Sequence, residues 1–217
     1  MKFSILHATA RPHLWKKSHD AWLTEASGDH EIEYILCVDK RWGFPDGYDA
    51  GPGIIVEYSD DGPRGTVYAW NKAAAASTGD VLILNADDFF PQQNWDIAIR
   101  DAIGDCSREA VVRVSTGGVN DDGGMLTLGI LTRARYEGLG YVLYPKYESV
   151  VSDIDFTEHA ERDGVVVNAR HIMIAHRHGS THSDIGWDDV YESVNRRAAY
   201  DLGEDVLAER RANDFKL

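Results

Sequence analysis

Three times in its first half the chain follows an apolar run of strand length with a stretch of helical spacing. Phe3–Ala8 leads to Pro12–Ser27, where Leu14, Trp15, Trp22, Leu23 and Ala26 are available for a buried side. Glu33–Val38 and Ile54–Tyr58 lead to Thr66–Thr78, with Val67, Tyr68, Ala74 and Ala75 on one side. Val81–Leu84 leads past Pro91 to a helix whose Trp95, Ile99, Ala102 and Ile103 fall at i, i+4, i+7 and i+8. Such alternation predicts an α/β fold with a mostly parallel central sheet, right-handed crossovers and flanking helices. Val81–Leu84 has no polar alternation, which suits a central strand buried on both faces.

An open α/β sheet binds ligands in the crevice beyond the carboxyl ends of its strands. Thr9 and Arg11 follow the first strand, Asp39 follows the second, and Asp87 and Asp88 follow Val81–Leu84. The Ala8–Pro12 loop leads into a helix N-terminus, where unpaired amides favour phosphate or acceptor groups. Adjacent carboxylates repel one another unless a cation neutralises them, and Mg²⁺ or Mn²⁺ with oxygen ligands is the natural partner. The plain alternative for such a pair is a solvated Asx turn. Asp60-Asp61 sits beside Gly62-Pro63, and Asp121-Asp122 lies in the glycine-rich stretch Thr116–Met125, so both are read as loop chemistry. The net charge of −14 argues against unaided binding of nucleic acid. It also means that a nucleoside diphosphate would need a bound cation or a local arginine to enter.

At 217 residues the chain suits one domain, and no apolar run is long enough to cross a bilayer. Its N-terminal apolar stretch is short for a signal peptide, and its two cysteines, Cys37 and Cys106, suggest no disulfide framework; a cytoplasmic location is the expectation. In the second half, Val111–Ser115 reads as a strand, and Leu126–Tyr136 fits strand or helix equally. Asp153 is the expected N-cap of a helix carrying Ile154 or Phe156 inward. Val165–Val167 and Ile172–Ala175 read as short strands, the second leading to His176-Arg177-His178. Alternation along an extended chain sets His176 and His178 on one face, and Asp188–Arg210 reads as a terminal helix.

Asn85-Ala86-Asp87-Asp88 after its apolar run resembles the Asp-X-Asp region of nucleotide-sugar-dependent glycosyltransferases of the GT-A fold, family two in particular. Thr9, Arg11 and Pro12 match the loop that ends the family's first strand, with Ala8 and Ala10 departing from it. Asp39 stands where the family carries a carboxylate on the donor's base or ribose, and Arg64, Gly65 and Asn71 are similar to its Gly-X-X-X-Ala-Arg-Asn region, with Trp70 in place of the arginine. Ser152-Asp153-Ile154-Asp155-Phe156 resembles the acceptor-side stretch that holds the general base, without its preceding Glu. The resemblance covers residues 1–105 and, more weakly, 145–191.

It implies a GT-A-like catalytic domain over 1–191, with a donor half at 1–110 and an acceptor half at 111–191, then a C-terminal helix and tail over 188–217. It implies a nucleoside diphosphate sugar as co-substrate, a UDP-sugar being favoured, and transfer to an acceptor hydroxyl with inversion. Thr9, Arg11, Asp39, Arg64, Asn71 and Asp87 would bind the donor. Asp87 and Asp88, with His176 or His178, would hold Mn²⁺ or Mg²⁺; Asp153 would be the base and Asp155 its understudy. A nucleotidyltransferase is one alternative, although Ala8–Pro12 contains no glycine for a phosphate loop. A non-catalytic nucleotide-sugar-binding protein of the same fold is another, given Asn85 in place of an acid.

Overall fold

A computed structural model describes residues 1–39, 65–118, 121, 124–179, 182 and 186–216, and the backbone of 54–58. The strands are β1 (Lys2–Thr9), β2 (Glu31–Asp39), β3 (Ile54–Tyr58), β4 (Val81–Asn85), β5 (Phe89–Pro91), β6 (Val111–Ser115), β7 (Ile130–Thr132) and β8 (Val166–His176). The helices are α1 (Trp15–Thr24), α2 (Thr66–Ala76), α3 (Trp95–Ile103), α4 (Arg133–Leu139), α5 (Ser152–Arg162), α6 (Asp189–Val194) and α7 (Arg197–Ala212). Among the described residues the strand order is β3-β2-β1-β4-β7-β6-β8-β5. β1, β2, β3 and β4 pair in parallel, as do β6 and β8, whereas β7 runs antiparallel to both β4 and β6.

The double burial expected of β4 is present. Leu82 and Leu84 join Leu6, Ile35 and Cys37 in the layer under α2, α5 and α7. Val81 and Ile83 join Phe3, Ile5, Leu36 and Val38 in the layer under α1 and α3, where Trp22 and Trp95 meet edge to face at 4.9 Å. Each such side chain stabilises the fold by about 1.5–3 kcal/mol through removal from water. Glu33 ties β4's entry to β1: it accepts from Ser4 Oγ at 2.5 Å, Thr78 Oγ1 at 2.8 Å and Gly79 N at 3.0 Å. Burial opposes its charge, yet the bonds from Ser4, Thr78 and Lys2 hold its carboxyl down at about 2. A Cβ at residue 79 would lie 2.4 Å from Ser4 Oγ, so only glycine allows this approach.

Several boundaries differ from the sequence expectation. Helix α1 begins at Trp15 rather than Pro12, after a turn closed by Leu14 N donating to Arg11 O, and Leu23 is exposed. Pro91 closes β5 instead of opening a helix, because Phe89–Pro91 pairs with the end of β8. The two short strands expected around residues 165–175 are one strand, β8, whose register against β6 shifts between Arg113 and Ser115. Residues 126–136, undecided from periodicity, contribute β7 and then α4, capped by Thr132. The terminal helix is broken at Asn195-Arg196 into α6 and α7. The long loop 41–53, the turn 59–64 and Asp122 lie outside the described residues.

Candidate active site

The carboxyl ends of β1, β2 and β4 open on a cavity of about 550 Å³. Thr9, Arg11, Asp39, Asp87 and Asp88 line it from the sheet side, His176 and His178 from the end of β8, and Asp153 from α5. Sequence segments far apart thus converge where the topology predicts a ligand.

Strand pairing explains the first convergence. Phe89 of β5 registers with His176 of β8, and Arg177 N donates to Asp88 O at 2.8 Å. The Phe89 and His176 rings stack at 4.4 Å. This brings His176 Nε2 to 3.3 Å from Asp88 Oδ2. The same oxygen accepts from the Tyr191 hydroxyl at 2.6 Å. Burial raises the Asp88 pKa, but His176, Tyr191 and Arg11 outweigh it, so the net shift is downward. The ring of His178 lies 5.4 Å from that of His176 and 4.8 Å from that of Tyr191.

Asp87 sits in a different environment. Its Oδ1 faces His7 Nε2 at 2.9 Å and its Oδ2 faces Arg11 NH1 at 3.4 Å. Arg11 is itself bound by Asp188, through Nε at 2.7 Å and NH2 at 3.0 Å, and lies over the Tyr191 ring at 4.2 Å. Burial works against the arginine's charge, and the bonds to Asp188 with the field of Asp87 more than offset it. Asp188 also caps α6 by accepting from Tyr191 N at 2.9 Å. A single turn of helix therefore delivers Asp188 and Tyr191 onto Arg11 and Asp88.

Asp153 occupies the first turn of α5, one residue beyond the helix start, rather than the N-cap; Val151 is the cap residue and has φ +72°. A β-branched residue in the left-handed region stores about 1–3 kcal/mol of strain. Burial pushes the Asp153 carboxyl up, against a hydrogen bond from Ile154 N. Such a carboxylate in a cavity wall is suited to accept a proton.

Not every expected residue joins this cavity. Asp155 points into the helix layer, where Arg210 Nε donates to it at 3.0 Å and the Tyr147 hydroxyl at 3.2 Å; burial raises its pKa. Asn71 lies outside the cavity lining and fastens the segment after α4, donating to Leu143 O at 2.7 Å and accepting from Val142 N at 2.9 Å. Thr9 Oγ1 accepts from Arg11 N at 3.0 Å and so shapes the loop as well as lining the cavity. Asp121 accepts from Thr116 N at 3.0 Å and Gly117 N at 3.0 Å, the loop role expected of it. Arg64 lies outside the described residues. Sequence reasoning missed His7, Asp188 and Tyr191. A histidine inside an otherwise apolar central strand is a legible signal for the first; nothing in the sequence shows that α6 folds back onto the β1 loop.

The cavity's formal charge is acidic: Asp39, Asp87, Asp88, Glu148 and Asp153 face it against Arg11 and Arg196. An anionic ligand entering here needs a cation. Among the described residues no group of three or more His, Cys, Asp or Glu side chains is gathered to hold a metal. Asp88 with His176 fits a smaller donor set, one carboxylate and one imidazole, completed by a ligand's phosphate oxygens. Mg²⁺ and Mn²⁺ are the divalent cations that a set rich in carboxylate and phosphate oxygens suits.

Solved structures of similar chain path include Staphylococcus aureus TarS 1–349 in complex with UDP, at TM-score 0.60 and 15% identity. The likeness covers 80% of this chain and 59% of that one. The chain has the GT-A fold. The mannosyltransferase PcManGT of Pyrobaculum calidifontis, in complex with GDP-Man and Mn²⁺, is similar at TM-score 0.57 and 12% identity, over 80% of this chain and 56% of that one. Glucosyl-3-phosphoglycerate synthase of Mycobacterium tuberculosis, in complex with Mn²⁺, UDP and phosphoglyceric acid, is similar at TM-score 0.55 and 12% identity, over 82% and 71%. This GT-A chain thus spans less than two thirds of the length of the first two. No protein-family model and no curated protein matches it. No helix among its described residues is long and apolar enough to cross a membrane.

Proposed function

We propose that the protein is a metal-dependent glycosyltransferase that moves a sugar from a nucleoside diphosphate donor, a UDP-sugar by preference, to an acceptor hydroxyl with inversion. The reading rests on one observation: the Asp88–His176 pair and the half-buried carboxylate of Asp153 face a single cavity at the strand ends of a GT-A sheet. The location expected for it is the cytoplasm, with the donor held by residues 1–110 and the acceptor by residues 111–191.

Thr9 and Asp39 would meet the nucleoside end of the donor, and Arg11 the diphosphate. Because Asp188 already binds Arg11 through two hydrogen bonds, Arg11 reaches an anion only by sharing or exchanging that partner. Asp88 and His176 would hold Mn²⁺, which when bound neutralises charge on the leaving diphosphate. Asp87 orients Arg11 and carries no part of the metal in this reading. Asp153 would take the proton from the acceptor hydroxyl as it attacks the anomeric carbon. Burial raises its pKa, so that carboxylate is a stronger base than a solvated one.

The test is release of nucleoside diphosphate from UDP-, GDP- and dTDP-sugars with Mn²⁺, with and without chelator. Turnover of one donor, abolished by Asp88→Asn, is the expected outcome. Metal-dependent nucleotide binding without turnover of any donor would favour the non-catalytic binding protein instead.

A further inference from the structure

Behind Asp87 lies a buried chain of polar side chains that the proposed chemistry does not use. His7 and Asn85 are both 0% exposed, on adjacent central strands and in register with each other. Trp22 Nε1 donates to Asn85 Oδ1 at 2.8 Å, which fixes the orientation of the amide. The amide nitrogen then donates to Ser18 Oγ at 3.0 Å and to the Tyr34 hydroxyl at 3.1 Å. Ser18 passes its own hydrogen to the backbone carbonyls of Ala86 and Phe89, both at 3.0 Å. Tyr34, having accepted from Asn85, turns its hydrogen to His7 Nδ1. Burial keeps that phenol protonated.

One consistent set of hydrogens follows, and it leaves the imidazole proton on Nε2, aimed at Asp87 Oδ1 at 2.9 Å. This gives position 85 a physical reason to be asparagine. A carboxylate there could accept from Trp22 but could not donate to Tyr34, and the direction of the chain would be lost. A carboxylate at this fully buried position would also carry an uncompensated charge.

We propose that His7 is a positioning residue of the donor site, holding Asp87, and through it Arg11, in the orientation that receives the donor's diphosphate. The inference rests on the nucleotide-sugar reading above. Buried outer partners of this kind fix a ligand-facing group's rotamer and are worth roughly tenfold or more in binding.

The experiment combines two measurements on the full chain. ¹⁵N NMR of the imidazoles reads the His7 tautomer, assigned by its loss in His7→Gln. The Nε2–H form is expected in the wild type and is retained in Tyr34→Phe, where Asn85 Nδ2, 3.2 Å from His7 Nδ1, takes over as donor. Calorimetric titration with UDP and Mn²⁺ reads the consequence. His7→Leu is expected to weaken binding tenfold or more. His7→Gln, whose amide N–H stands in for Nε2–H, is expected to return it to within about threefold of wild type, and Tyr34→Phe to fall between. Tyr34→Phe removes a single hydroxyl and keeps the test open if His7→Leu fails to fold. An Nδ1–H tautomer, or equal binding by His7→Leu and His7→Gln in a wild type that binds UDP, overturns the inference alone. A wild type that binds no nucleotide overturns the donor-site reading and this role with it.

Discussion

Arg210→Met tests the separation of Asp155 from the active site. Arg210 is 2% exposed; its Nε donates to Asp155, its NH2 to the Tyr141 hydroxyl at 3.1 Å and its NH1 to Lys216 O at 2.8 Å, and its guanidinium lies 4.1 Å from the Tyr144 ring centroid. Methionine keeps much of the volume and removes the charge, leaving Asp155 buried and unpaired. Breaking one side of a buried ion pair costs about 3–5 kcal/mol. At an m-value of about 2 kcal/mol/M, the urea midpoint at pH 7 falls by about 2 M.

The pH dependence fixes the cause. Burial raises the Asp155 pKa in the folded protein, and removal of Arg210 raises it further. A folded acid with a raised pKa binds more protons than the unfolded chain, so stability falls as pH rises through that range. The gap between variant and wild type is therefore largest at neutral pH and narrows toward pH 4. Arg210→Met combined with Asp155→Leu, which removes both charges, is expected to recover most of the loss. A single variant within about 1 kcal/mol of wild type, or a gap that widens on acidification, would refute the reasoning.

Asp153→Asn is expected to lower kcat by about 10²–10⁴ with little change in KM, and to remove the acid limb of the wild-type pH profile, whose midpoint lies above 3.8 because burial raises Asp153. Tyr191→Phe deletes the 2.6 Å hydrogen bond that orients Asp88, and the apparent Mn²⁺ affinity in the presence of UDP should fall by about 10- to 100-fold. Burial, with Arg135 nearby, holds the His159 imidazole down at about 4. The unfolded chain therefore binds the extra proton between about pH 6.5 and 4, and the stability that His159 contributes is lost as pH falls through that window. Urea midpoints of wild type and His159→Gln should show a shallower loss over this window in the variant.

The fold was largely legible because its signals are local. β1, β2, α2 and β4 each carry their own apolar spacing, and Val81–Leu84 reads as doubly buried without any partner in view. What failed was pairing. Pro91 reads as a helix opener until β8 arrives as its antiparallel neighbour. Residues 165–175 read as two strands because the exposed Arg170 and His171 interrupt the apolar pattern of β8. Asp87, Asp88 and His176 were found from strand ends and from resemblance. Asp153 reads as the base and Asp155 as its understudy by resemblance alone; two residues of helix rotation, about 200°, send the first into the cavity and the second to Arg210. Asp188 and Tyr191 gave no signal because their contacts span 177 residues to Arg11 and 103 to Asp88.

In the proposed glycosyltransferase, Asp88 and His176 hold a divalent cation against a nucleoside diphosphate in this cavity. Pulsed EPR of Mn²⁺ with the protein and UDP measures it, since a coordinated imidazole couples ¹⁴N to the metal. Mn²⁺ binding strengthened by UDP, a ¹⁴N coupling lost in His176→Gln, and loss of binding in Asp88→Asn are the expected results. UDP-independent Mn²⁺ binding, or a ¹⁴N coupling that survives His176→Gln, would contradict this metal site.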